Sequence, residues 1–315
     1  MLTVLVGGRL MHHLINLAIA VGVFIFAYIY ASIISVNSTE EIVLYYKNYG
    51  ETPLNQSALV RQVLMIVFLI QWAVYIPAFI LKTEKFYDLT GSITYIFVIY
   101  VVMNMVGGHS SGGMLGNVIL GLVIILWALR LGSFLFLRIQ KDGEDKRFRT
   151  IKTSFSQFFM TWTLQGLWVF ICSSAAIIAM TSPTGVIVNN IFYIGLGVFI
   201  LGFTIEIIAD HQKSAFRSNP SNKDAFIVGG LWGRSRHPNY FGEITLWTGI
   251  SIMSISSFVG WNYLALISPA FVYVLLVHIS GVRMLEARGE KKWGSTEEYK
   301  EYKKNTPKLI PKIFT

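Results

Sequence analysis

Cysteine and charge are the two things this chain has least of. The single cysteine, Cys172, sits in an apolar run; an isolated thiol cannot make an internal bridge and carries no information about redox compartment. Charged residues make up 14% of the 315 positions, against roughly 25% in a soluble domain. Apolar residues make up 54%, which excludes a disordered chain, since such chains are poor in apolar groups. No internal repeat, low-complexity tract or separate soluble domain is visible. The longest polar segment, 210–239, is too short to build a core of its own.

What is present is long apolar runs. A membrane-spanning helix needs about 20 mostly apolar residues. Eight stretches qualify: 14–36, 58–81, 90–107, 115–137, 160–181, 187–209, 240–258 and 260–281. The first is too long for a signal-peptide core and lacks a small-residue cleavage site, so it counts as a span. The last two are joined by a tight turn near Gly260. The expected fold is an all-α polytopic membrane helix bundle of about eight transmembrane helices, one membrane domain over 1–315.

Charge then orients the bundle. Of 26 Lys and Arg, only Lys47 and Arg61 fall in or beside loops that follow odd-numbered spans. The others sit at the opposite ends, which predicts both termini on the cytosol-like side. The first opposite loop also holds Glu40, Glu41 and Glu51. The net charge of +9 is concentrated in 138–152, 211–236 and 283–312, where it would attract anionic lipid by about 1 kcal/mol per basic residue. The expected partner is therefore the lipid bilayer. No folded basic module is present, so nucleic acid is not expected as a partner.

Ionisable groups at the mouths of spans are costly and mark function by default. Glu206, Asp210, Lys213 and Arg217 fall on one helical stripe at the end of the sixth span. Read structurally, they form an i, i+4 salt-bridge ladder. Read functionally, they wall a polar pocket whose Lys213 and Arg217 grip a phosphate. The second concentration is the segment Gly229 to Trp247. Pro238 suits the first turn of a helix, on which Arg236, Tyr240, Glu243 and Trp247 share a face with Asn239 beside it. Glu243, one turn into a span, needs a partner; Arg234, Arg236 and a ligand are the candidates. No G-x-G-x-x-G follows a strand, so a dinucleotide would need a helical, membrane-embedded site. The histidines lack the companions of a zinc site, and no metal is expected. His109, in the Gly/Ser stretch 107–113, lies in a loop without the lysine of a phosphate loop.

Leu231-Trp-Gly-Arg-Ser-Arg-His-Pro-Asn-Tyr-Phe-Gly-Glu243 resembles the signature of the steroid 5-alpha-reductase-like superfamily, and more narrowly the DUF1295 branch. The wider clan includes sterol C14 and delta-7 reductases and isoprenylcysteine carboxyl methyltransferases. Asp210 to Pro220 resembles the Gln-Lys-x-x-Phe-Arg-x-x-Pro segment of sterol reductases. Lys85 to Thr94 resembles the start of a DUF1295 helix. Tyr299 to Pro311 resembles the ending of the clan. The likeness covers roughly 80–315, leaving 1–82 as variable N-terminal spans and 83–315 as a reductase-like region.

The resemblance implies an NADPH site. Lys213 and Arg217 would contact phosphates, and Asn239 and Glu243 the amide and ribose end. Tyr240 would line the nicotinamide pocket, and Trp232, Arg234 and Arg236 would close over the adenosine. Glu206, Asp210, His237, Arg283, Glu286 and Tyr302 would complete the cavity. The implied reaction is hydride transfer to a C=C conjugated to a carbonyl, in a hydrophobic lipid-like or steroid-like enone that enters from the membrane. Such chemistry also needs an acid near the developing oxyanion. The acid pair of the steroid reductases has no match in the first spans, so Tyr87, Asp88 and Tyr240 are the candidates. Asp88 also reads as the N-cap of a helix starting at Leu89. Two other readings stand: an S-adenosylmethionine-dependent methyltransferase of the isoprenylcysteine type, and a non-catalytic subunit of a membrane complex. The endoplasmic reticulum is favoured over the mitochondrial inner membrane, because only Arg9 precedes the first span.

Overall fold

The computed structural model describes residues 2–36 (backbone alone for 2–9), 47, 55–106 and 113–312. Glu40, Glu41, Glu51 and the loop around His109 lie outside them. Regular structure among the described residues is entirely helical. The chain is a multi-pass integral membrane protein: seven described helical segments are long and apolar enough to cross a bilayer. Two compact units emerge, Met1–Val188 with Ser254–Ala265, and Asn189–Met253 with Leu266–Thr315.

The first unit contains α1 (Leu2–Ile34), α2 (Gln56–Ile80), α3 (Tyr87–Val106), α4 (Met114–Asp142) and α5 (Phe155–Thr181). The sequence of α5 carries no charge and, from Gly166 to Thr181, only apolar or small residues, as a surrounded helix requires. It is the buried centre, and α1, α2 and α3 pack on it. Several polar groups on or against it bond to its backbone. Ser173 Oγ donates to the Val169 carbonyl at 2.6 Å. Gln56 Nε2 donates to the Ile178 carbonyl at 2.9 Å. Such internal bonding lowers the cost of polar groups where no water is available.

At one end of this unit Glu84 is 3% exposed. Its carboxylate takes Lys152 Nζ at 2.5 Å and the Asp145 backbone N–H at 2.9 Å. It therefore ties the turn between α2 and α3 to the segment that links α4 to α5. Arg147 pairs with Asp145 at 2.5 Å, and Arg149 pairs with Glu144. Helix α3 begins at Tyr87, two residues before the expected start. Asp88 is consequently inside the first turn and not the N-cap; there its carboxylate still opposes the positive end of the helix dipole.

The second unit contains α6 (Asn190–Ser218), α7 (Pro238–Ser254), α8 (Ile267–Val274), α9 (Val282–Trp293) and α10 (Glu297–Asn305). Pro238 opens α7 as expected. At 17 residues, α7 is about 25 Å long, somewhat less than the hydrocarbon core. The stretch expected to continue it, to residue 258, leaves the helix and joins the first unit. There Ser257 Oγ accepts the Ile187 N–H at 3.0 Å, and Asn262 Nδ2 donates to the Ile34 carbonyl at 2.7 Å.

Four glycines set the α6–α7 contact. A Cβ on Gly195 would lie 2.5 Å from Met253 N, and one on Gly202 would lie 2.6 Å from the Gly242 carbonyl. On the facing helix, Gly242 would meet Glu206 N at 2.7 Å, and Gly249 would meet the Gly195 carbonyl at 2.7 Å. Each pair is seven residues apart, two turns, so one seam of small residues lets the backbones touch.

Two stability changes are expected from thermal unfolding of the purified protein. Gly202→Ala should destabilise by at least the ~1–3 kcal/mol typical of overpacking. Gly197→Ala, on the same helix with nothing within 4 Å, should be neutral or stabilising by up to about 1 kcal/mol. In the first unit, Glu84→Ala should cost about 1–3 kcal/mol, because it leaves a buried amide and a half-buried ammonium without an acceptor.

Candidate functional site

Buried acidic groups lie along the α6 and α7 helices that meet at the seam. Gly242 abuts the backbone of Glu206, and Glu243 follows it on α7. Glu206, Asp210 and Glu243 are all buried. One turn along, Asn239 Nδ2 donates to Asp210 Oδ1 at 3.2 Å. The stripe predicted on α6 therefore has two halves. Its carboxylates lie inside, Lys213 is half-buried, and Arg217 is exposed.

The segment between α6 and α7 folds over the end of this stripe. Gly230 has φ +62°, a left-handed conformation that glycine adopts without strain. It turns the chain so that the Leu231 N–H reaches Gln212 Oε1 at 3.0 Å. Trp232 is then buried, with its indole N–H donating to the Ala209 carbonyl at 3.0 Å. Lys213 Nζ lies 4.5 Å from the centre of the Trp232 ring, a cation–π contact. Tyr302 Oη donates to the Trp232 carbonyl at 2.7 Å; burial pushes the pKa of that phenol up. Phe226 packs its ring 5.1 Å from Tyr299 and 5.4 Å from Tyr302, which seats α10 against the segment.

Glu286 on α9 forms a two-pronged clamp. Oε2 accepts from Arg236 Nη1 at 2.8 Å, and Oε1 pairs with His237 Nε2 at 2.8 Å. Burial lowers the His237 pKa, opposed by the Glu286 hydrogen bond and charge. A neutral imidazole that donates from Nε2 to a carboxylate leaves Nδ1 as an acceptor. His237 Nδ1 and Arg236 Nε are both buried with no partner. The His237 ring stacks on Tyr240, 5.9 Å between centroids at 12°. Tyr240 in turn rests on Gly281, where a Cβ would come 2.8 Å from its ring. The tail fixes the other side. Arg236 N–H donates to the Pro307 carbonyl at 2.9 Å, Lys312 N–H donates to the Arg234 carbonyl at 2.9 Å, and Ser235 Oγ donates to the Leu309 carbonyl at 2.7 Å.

Of the predicted residues, Asp210 and Asn239 thus meet directly, as do Arg236, His237 and Glu286, and Lys213, Trp232 and Tyr302. Arg234 and Arg283 are exposed. Tyr87 and Asp88 belong to the first unit. There Tyr87 Oη donates to the Thr161 carbonyl at 3.0 Å, and its ring packs on Phe148 and Trp162. Sequence reading passed over Gln212, Ser235, Gly281 and the four seam glycines. Gln212 and Ser235 lie inside the quoted motifs, but a lone amide or hydroxyl gives no charge signal.

The chain is 29% identical over 162 residues to the Delta(14)-sterol reductase of Arabidopsis thaliana, covering 48% of this chain and 37% of that protein. It is 29% identical over 125 residues to the steroid 5-alpha-reductase of the same plant, covering 39% and 42%. It is also 28% identical over 110 residues to a probable O-methyltransferase of Ustilaginoidea virens, covering 32% and 38%. The matches span about two fifths of the length of these relatives. No solved structure matches. A family model, described as a protein of unknown function, matches residues 74–306, nearly three quarters of the sequence and all of the clamp, stripe and seam; the chain belongs to the DUF1295 family.

Proposed function

We propose that this protein is a membrane-embedded, NADPH-dependent reductase of a hydrophobic, lipid-like enone. The observation that carries the reading is the pair of orphaned atoms beside the Glu286 clamp. Arg236 Nε is a buried cationic donor and His237 Nδ1 a buried acceptor, and neither has a partner. Leaving such groups bare costs about 1–3 kcal/mol each. A ligand with both phosphate oxygens and hydroxyl or amide hydrogens would satisfy both.

The remaining residues suit the same ligand. Lys213 and Arg217 would hold phosphate. Glu206, Asp210 and Glu243 accept hydrogen bonds from hydroxyl and amide groups, and Asp210 orients Asn239 for that end. Trp232, held by Ala209 and Tyr302, offers a face for a flat ring. Arg234 and Arg283 lie on the exposed rim. When bound, NADPH supplies a hydride to a C=C made electrophilic by an adjacent carbonyl. The chain must then supply a proton and stabilise negative charge on that oxygen. Tyr240 is the donor we favour within the second unit, because it stands beside His237 and on α7 with Glu243. Tyr87 and Asp88, the other candidates, belong to the first unit, where the Tyr87 hydroxyl already donates to the Thr161 carbonyl.

One observation favours a second reading. The buried end of the stripe is acidic, which also suits the cationic sulfonium and ammonium of S-adenosylmethionine, and one relative is a probable O-methyltransferase. That ligand has no phosphate, however, and would leave Lys213 and Arg217 without a task.

The test is thermal unfolding of the detergent-purified chain with NADPH, NADH or S-adenosylmethionine. NADPH should stabilise it selectively. Glu286→Gln and the double variant Lys213→Ala/Arg217→Ala should bind NADPH about 10–100-fold more weakly, as expected for loss of charge-assisted bonds. Stabilisation by S-adenosylmethionine alone would move the assignment to methyl transfer. No response to any of the three, from folded protein, would remove the cofactor and favour a structural subunit.

A further inference from the structure

The turn that follows α7 carries its apolar side chains outward. In this segment of the first unit Val259 is 51% exposed, Trp261 59%, Tyr263 49% and Leu264 45%. From Ile244 to Val282 there is no Asp, Glu, Lys or Arg. Exposed apolar side chains gathered in one short segment mark a contact surface.

The polar groups of the turn point inward. Gly260 has φ +54°, which lets the chain reverse without strain. Asn262 fills the reversal and is buried. The Val259 N–H donates to Asn262 Oδ1 at 3.2 Å, and the Asn262 N–H donates to the Val259 carbonyl at 3.0 Å. Asn262 Nδ2 donates to the Ile34 carbonyl at the end of α1. Ser257, also buried, takes the Ile187 N–H. A turn in water has the opposite arrangement, with polar groups solvated and apolar groups covered. Internal bonding beneath an apolar exterior is what a water-poor surrounding demands.

Contacts with α1 fix the level of the turn. The span on α1 ends at Ile34, whose carbonyl Asn262 holds. Tyr30, one turn inside that end, donates its hydroxyl to the Leu264 carbonyl at 3.5 Å. Leu264 therefore lies beside the last turn of the span and not beyond it. Ile29, Ile33 and Val36, at the same end of α1, are themselves exposed. The outward face of the turn thus continues the exposed apolar surface of a spanning helix. The length of α7 agrees: at 17 residues it falls short of a hydrocarbon core of about 30 Å, and a turn that lies in the interface reduces the mismatch.

We propose that residues 259–264 are immersed in the lipid interface. Trp261 and Tyr263 anchor the turn at headgroup level, where a ring with an apolar body and a polar tip is favoured. Val259 and Leu264 contact acyl chains. The partner is the bilayer itself, because this face is uncharged and continuous with the exposed side of α1. The proposal rests on the membrane assignment and needs no nucleotide and no reductase chemistry.

The experiment uses the full chain in phosphatidylcholine nanodiscs. Trp261 is one of eight tryptophans, so its emission is taken as the difference between the wild type and Trp261→Phe. Immersion predicts that lipids brominated on the upper acyl chain quench this difference, and that aqueous iodide quenches it at least tenfold less than free tryptophan. Quenching by iodide as strong as that of free tryptophan would place the turn in water and overturn the proposal. Protection from both quenchers would overturn it too, in favour of a protein cover such as a second copy of the chain. A second readout is independent of tryptophan. The single native cysteine, Cys172, is buried, so a charged thiol reagent reports on an introduced one. Leu264→Cys should react at least tenfold more slowly than Lys304→Cys, at an exposed position of α10. Equal rates would overturn the proposal, and the fluorescence comparison stands even if Leu264→Cys misfolds.

Discussion

Backbone contact between α6 and α7 is the constraint on which the candidate site depends. Without the glycines at 195, 202, 242 and 249, the two helices would be held apart by side chains. Their contact brings the Glu206 backbone against Gly242, with the Asp210–Asn239 hydrogen bond one turn further. A membrane interior supplies no hydrophobic drive for helices to associate, so small residues and interhelical polar bonds must do it. The seam supplies the small residues, and the Asp210–Asn239 hydrogen bond supplies one polar tie.

Three buried carboxylates at such a seam carry a large desolvation cost. The chain meets it by position, placing them where α6 is about to leave the apolar layer and where Lys213 and Arg217 follow within two turns. The Glu286 clamp works by the same rule. One carboxylate serves a guanidinium and an imidazole through separate oxygens, while three tail hydrogen bonds prevent the 234–236 segment from lifting away. What the clamp does not do is satisfy the far side of either group. The Glu84–Lys152–Asp145 network differs: there the carboxylate takes both an ammonium and a backbone amide.

Much of this was legible in sequence because hydrophobic length and charge position are strong, additive signals. The spans before residue 240 were found from them alone, and Pro238 marked the start of α7. The charged stripe on α6 followed from its 3.6-residue period. Other features were not legible, each for a physical reason. The end of α7 depends on Ser257 and Asn262 bonding to residues far away in the chain, which no local pattern encodes. The start of α3 moved by two residues because Glu84, and not Asp88, accepts the Tyr87 N–H, here through its backbone carbonyl at 2.9 Å. The seam glycines are seven residues apart on each helix, and their meaning appears only when the two helices are paired.

Gln71 and Gln165 show the deeper reason. A neutral amide in an apolar run changes neither the span count nor the charge balance, so it passes as an ordinary polar interruption. Its energetic meaning is set entirely by whether its oxygen and nitrogen are both engaged. At Gln56 the amide nitrogen has two acceptors, the Ile178 carbonyl and Thr181 Oγ1, and the residue fastens α2 to α5. At Gln71 and Gln165 the nitrogen is engaged in the same way, and in all three residues the amide oxygen is buried without a partner. The helices could have carried leucine at these positions at less cost. What leucine would not supply is a directional tie between helices: Gln56 fastens α2 to α5, Gln71 fastens α2 to α3, and Gln165 fastens α5 to α3.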